Sequence, residues 1–135
     1  MVEVADVNVL LIEDDPDVSK SFTGALERQG FRVTAVNAAD RAFEELRRSS
    51  FDVIVCDVIL PRMEGTTFFD RLKDDFPNMT GRVLFVTGWS GEEKTRRLVE
   101  YTGRPFLQKP VEMDVLVKAV REIAAGLPGA GSSRP

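Results

Sequence analysis

Val9-Leu10-Leu11-Ile12, running into Glu13-Asp14-Asp15, and Val53-Ile54-Val55-Cys56, running into Asp57, are the stretches that decide the fold. Each is an unbroken apolar run rich in β-branched residues, as a strand buried on both faces of a parallel sheet must be. They belong at the centre of a sheet. Less uniform runs at 31–36, 82–87 and 104–108 supply three more strands. Between the five lie segments with helical spacing at 17–29, 39–49, 66–76, 92–101 and 112–125. In the first, Val18, Phe22, Ala25 and Leu26 recur at i, i+4, i+7 and i+8 and give one face to bury. Asp15 is placed to cap that helix, Pro16 suits its first turn, and Gly30 offers a permissive backbone just past its end. The last helix repeats the pattern with Val115, Leu116, Ala119, Val120 and Ile123, then stops near Gly126-Leu127-Pro128. Residues 1–126 therefore read as one domain, and 127–135 as a flexible tail or linker stub. Alternating strand and helix imply an α/β fold: an open, doubly wound parallel sheet of five strands with five flanking helices and right-handed crossovers.

Composition narrows the function. The 135 residues are 43% hydrophobic and 30% charged, as in one soluble globular domain. No apolar run approaches the roughly 20 residues that cross a bilayer. The first residues carry acids and no basic n-region, and Cys56 is the only cysteine, so a reducing, cytoplasmic setting without membrane attachment is expected. A net charge of −4 argues against direct nucleic-acid binding, which needs clustered Lys and Arg. The chain has no histidine, which excludes Ser-His-Asp and Cys-His catalysis, histidine-ligated zinc and a phosphohistidine of its own.

In open α/β sheets the functional crevice lies beyond the carboxyl ends of the strands. Those ends carry Glu13-Asp14-Asp15, Asp57, Thr87 and Lys109-Pro110, so these residues should converge on one rim. Several carboxylates facing a single lysine repel one another unless a cation joins them. Hard oxygen donors, with no histidine or second cysteine, suit Mg2+ or Mn2+ better than zinc.

At these positions the chain resembles the receiver domain of bacterial response regulators in two-component signalling. The resemblance spans about 8–123 and rests on Ile12-Glu13-Asp14, Asp57, Leu60-Pro61-x-Met63-x-Gly65, Val86-Thr87-Gly88 and Lys109-Pro110 in order. It implies the flavodoxin-like strand order 2-1-3-4-5. It implies that Asp57 accepts a phosphoryl group from a sensor histidine kinase or phosphotransfer protein, and that the chain catalyses only its own phosphorylation and dephosphorylation. Asp14 and Asp57 would bind the metal directly, Glu13 through water, and Ile59 through its backbone carbonyl. Lys109 would contact phosphoryl oxygens, a task suited to a flexible point charge, after a cis Lys109-Pro110 bond. Thr87 and Phe106 would be the switch pair, reshaping the face of the fourth helix, fifth strand and fifth helix for a downstream protein target.

Single residues taken alone read more plainly. Asp57 would serve as a turn cap, Glu13 as an acid favouring a helix N-terminus, Thr87 as a strand former and Phe106 as core packing. The chain also departs from its relatives. Many receivers of DNA-binding regulators carry an Ala-Gly-Ala-Asp-Asp-Tyr-type run where this one has Tyr101-Thr102-Gly103-Arg104-Pro105-Phe106. Its loss points to a stand-alone receiver, or one like those of hybrid kinases, acting as a monomer or weak dimer. Ile59 and Trp89 are bulky and apolar two positions beyond Asp57 and Thr87, and would hinder an attacking water. Trp89 also reads as a partner contact or an ordinary loop residue. The rival reading is a metal-dependent phosphatase with an aspartyl-phosphate intermediate, for which Asp15-Pro16-Asp17 has the spelling.

Overall fold

A computed structural model describes residues 7–60, 62–88 and 92–126. Trp89, Pro61 and the expected tail at 127–135 lie outside them. Both central runs are strands: β1 (Asn8–Ile12) and β3 (Val53–Asp57), the latter buried along its whole length. They are joined by β2 (Arg32–Val36), β6 (Val83–Thr87) and β7 (Phe106–Gln108) into one parallel sheet of order β2-β1-β3-β6-β7. That is the expected 2-1-3-4-5 order once two short strands, β4 (Ile59–Leu60) and β5 (Met63–Glu64), are counted.

Alternation along the strands sorts the core into two layers. Leu10, Ile12, Ile54, Cys56 and Phe85 face α2 (Ala39–Arg48), α3 (Gly65–Asp75) and Leu98 of α4 (Glu92–Thr102). Val9, Leu11, Val53, Val55, Leu84 and Val86 face α1 (Pro16–Arg28) and α5 (Met113–Ala124). Helices therefore cover both faces, and among the described residues none is long and apolar enough to cross a membrane.

The expected start of α1 holds in detail. The Asp15 carboxylate accepts from the Asp17 and Val18 amides at 2.9 and 3.3 Å, Pro16 opens the helix, and Gly30 adopts φ 94° just past its end. This geometry commits Asp15-Pro16-Asp17 to a helix cap, so that run does not present an Asp-x-Asp nucleophile.

Other expectations shift. Val115 is exposed and Val117 takes its place in the core. These two residues flank the apolar stripe of α5 on opposite sides, and the helix rolls so that the Val117 edge meets the sheet. The third helix ends at Asp75, because Phe76 turns to φ −139°, ψ 64° and Pro77 opens a 3-10 turn (Pro77–Arg82). The hairpin of β4 and β5 was not expected either. It closes through Arg62, a non-glycine residue at φ 64°, and leads into Gly65. A Cβ on Gly65 would meet a Leu98 methyl at 3.1 Å and the Val58 carbonyl at 3.4 Å, so glycine there allows α4 to close against the hairpin.

Candidate functional site

Strand register gathers the acids. Ile12 pairs with Cys56, so Glu13 and Asp57 come level at the carboxyl ends of adjacent strands. Asp57 pairs with Val86 and Thr87 with Gln108, which leaves Thr87 and Lys109 one residue further along the same rim. Backbone bonds extend the ladder beyond the strands: the Val58 amide donates to Val86 and the Lys109 amide to Thr87, at 2.9 and 2.7 Å. The Lys109-Pro110 bond is cis, as expected.

The Lys109 ammonium sits between two carboxylates, 2.9 Å from Glu13 Oε1 and 3.0 Å from Asp57 Oδ2. The second oxygen of Asp57 accepts from the Ile59 amide at 3.0 Å, and the second oxygen of Glu13 from the Asp15 amide at 3.1 Å. Glu13 and Asp57 are buried, only 3% and 7% exposed, whereas Asp14 faces solvent. Burial raises the pKa of Glu13 above the usual carboxylate value; the Lys109 and Asp15 hydrogen bonds oppose this, and the Asp57 charge adds to it. Burial alone would lower the pKa of Lys109, yet the bonds to Glu13 and Asp57 and their charges outweigh it and hold the side chain as ammonium. Cys56, beside them, is driven well above the ordinary thiol value by burial and then by the neighbouring acids, so it stays a neutral thiol.

Ligand oxygens of Glu13, Asp14 and Asp57 lie within 4.8 Å of one another. Three carboxylates against one ammonium leave two negative charges uncompensated in a cup of hard oxygen donors. That donor set and charge fit a divalent ion of the magnesium type.

Ile59 lies at the rim, 52% exposed, with its amide on Asp57. Phe106 opens β7 opposite Phe85, half-buried against the core. The structure thus brings Glu13, Asp14, Asp57, Ile59, Thr87 and Lys109 to one end of the sheet; Trp89 lies outside the described residues. One residue escaped the sequence reading. Thr95 of α4 is 5% exposed, and its hydroxyl lies 2.7 Å from that of Thr87. The available signal was periodic: Thr95, Leu98, Val99 and Thr102 recur at i, i+3, i+4 and i+7, which puts a hydroxyl on the buried face.

Known proteins share this architecture. Residues 9–121 match the family described as response regulator receiver domain. The response regulator receiver protein CpdR of Brucella abortus is 26% identical over 115 residues, covering 85% of this chain and 94% of that protein. The response regulator protein FleR of Pseudomonas aeruginosa is 28% identical over 128 residues, 94% of this chain, but the chain spans only 27% of its length. A crystal structure of the signal receiver domain of a signal transduction histidine kinase from Syntrophus aciditrophicus superimposes with a TM-score of 0.77 at 27% identity, covering 89% of this chain and 91% of that one.

Proposed function

Because the chain belongs to the response regulator receiver domain family of two-component signalling, we propose that Asp57 accepts a phosphoryl group from a phosphohistidine on a kinase or phosphotransfer partner. Receiver domains are signalling modules rather than classical enzymes. The observation that carries the reading is the buried Asp57 carboxylate, held by the Ile59 amide on one oxygen and by Lys109 on the other. These two donors fix its orientation before any partner arrives.

In the step itself an Asp57 oxygen forms a bond to phosphorus as the phosphorus–nitrogen bond breaks, and the bonding pair stays on the partner's imidazole. Lys109 follows the charge. Its ammonium, already 3.0 Å from Asp57 Oδ2, shifts toward the oxygens of the transferred group. Asp14, Asp57 and the Ile59 carbonyl, with Glu13 through water, would hold magnesium or manganese, which would supply charge neutralisation at those oxygens. Thr87 then donates its hydroxyl to the phosphoryl group, Phe106 follows, and the α4, β7 and α5 face changes for a downstream protein. Similarity to CpdR over nearly its full length and to a histidine-kinase receiver supports a stand-alone or hybrid-kinase type of receiver.

The reading is tested with a small acyl phosphate and magnesium. One phosphoryl equivalent per chain is the expected product, read by intact mass. Continuous turnover of a phosphate ester would instead favour a phosphatase.

Metal binding has its own expected outcome. Magnesium at ten times its dissociation constant should stabilise the fold by about 1.4 kcal/mol, a rise of several degrees in Tm. Asp14→Asn should erase most of that rise while slightly stabilising the metal-free protein by relieving repulsion. An undiminished shift in the variant would remove Asp14 from the ligand set.

Slow loss of the phosphoryl group is a further expectation. Ile59 is 52% exposed and its amide is on Asp57, and its apolar side chain offers an incoming water no hydrogen bond. Ile59→Asn should speed decay of the phosphorylated protein severalfold in magnesium; an unaltered half-life would show that this side chain does not control water access.

A further inference from the structure

Thr87 and Thr95 form a buried hydroxyl pair, of which the receiver chemistry above uses only Thr87. Thr87 is 2% exposed and Thr95 5%, and their oxygens are 2.7 Å apart. Among the described residues, the other hydrogen bond of the Thr87 hydroxyl runs to the Gly88 carbonyl at 3.1 Å. A hydroxyl has one proton and two lone pairs. With the Thr87 proton on Gly88, Thr95 must be the donor within the pair and Thr87 the acceptor.

We propose that Thr95 is a positioning residue for the switch, its hydroxyl holding Thr87 against α4 in the unphosphorylated protein. The inference rests on the role given to Thr87 above. To donate to a phosphoryl oxygen, Thr87 must take its proton away from Gly88 and turn its side chain, which breaks or stretches the bond from Thr95. The new bond has an ionised acceptor and is roughly twice as strong as a neutral one, so phosphorylation wins the exchange. Among the described residues the released Thr95 hydroxyl has no other hydrogen-bond partner, and an unpaired buried donor is costly. The amino-terminal part of α4 therefore has to move to satisfy it. That necessity links a change at Asp57 to a displacement of a helix on the output face. Leu98, one turn further along, packs over Gly65 and would carry the same displacement to the loop that follows Asp57.

The test titrates beryllofluoride, a mimic of the acyl phosphate, in excess magnesium and follows amide resonances of α4. Removing one neutral hydrogen bond that favours the unphosphorylated form should tighten binding about 2- to 10-fold in Thr95→Val. Thr95→Ala, which carries no branched side chain to misfit, should move affinity the same way, and Thr95→Ser should restore the wild-type value. In a Thr87→Val background, Thr95→Val should bring no gain. Unchanged or weaker binding in both Thr95→Val and Thr95→Ala would overturn the inference while leaving the receiver site intact, as would a gain that persists without the Thr87 hydroxyl. Wild-type protein that binds no beryllofluoride in magnesium would instead bring down the phosphoacceptor reading, and this inference with it.

Discussion

Asp57→Asn is expected to abolish phosphorylation by acyl phosphate or by a phosphohistidine partner while leaving the fold intact. The amide oxygen of asparagine can still accept the Ile59 amide bond that Asp57 Oδ1 accepts, so the turn after β3 keeps its anchor. Lys109 keeps Glu13 as a counter-ion at 2.9 Å. The loss is confined to the nucleophile, because a neutral amide cannot attack phosphorus at a useful rate. Two other carboxylates stand within reach of the same centre, Glu13 and Asp14, and they make the experiment sharp. Glu13 is tied to Lys109 and to the Asp15 amide, and Asp14 lies open to water. Glu13 shares with Asp57 both burial and a donor on each oxygen, so the label itself decides between them. Label that survives in Asp57→Asn with the lability of an acyl phosphate would move the acceptor to one of these neighbours. Label lost together with the native circular dichroism would report unfolding, which the retained Ile59 bond argues against.

Much of this was legible because the sheet converts sequence position into spatial position. The unbroken apolar runs before Glu13 and Asp57 required central strands, and the rule for open α/β sheets then sent every strand-end residue to one rim. The register explains why it succeeded: Ile12 beside Cys56 and Thr87 beside Gln108 leave no freedom in where Glu13, Asp57 and Lys109 emerge. Features outside the ladder were hidden. The β4 and β5 hairpin involves two residues on each side and depends on a left-handed Arg62, a conformation no propensity assigns to arginine. The choice between Val115 and Val117 turned on the roll of a helix, which periodicity leaves open to either flank. The Lys109 bond to Glu13 needed two side-chain conformations, and the Thr87 contact with Thr95 needed the docking of α4 onto the strand ends.

Lys109 should separate charge from chemistry. Lys109→Met preserves length and apolar stem but removes the one ammonium between two buried carboxylates. Loss of one preorganised charge at a reacting oxygen typically costs about 10²- to 10³-fold, so phosphorylation by a small acyl phosphate should slow by that order. Stability should fall too, by less than the ~3–5 kcal/mol of a fully buried broken pair, because the lysine side chain is 25% exposed. The pH dependence has a definite sign. A carboxyl whose folded pKa is raised destabilises the fold progressively as pH climbs from its unfolded value through its folded one. Glu13 is already raised by burial, and losing Lys109 raises it further, so the variant should lose stability over a wider span above the ordinary glutamate value of 4.5. In the native protein the raised Lys109 adds stability that is complete below 10.5 and disappears as pH passes its folded pKa. Added magnesium should recover more stability in Lys109→Met than in the native chain, since it supplies the missing positive charge. Lys109→Arg completes the argument: a planar guanidinium restores charge against Glu13 and Asp57, yet it cannot follow the phosphoryl oxygens as a compact ammonium does. It should recover the Tm and leave the rate depressed; recovery of both would mean that Lys109 contributes charge alone.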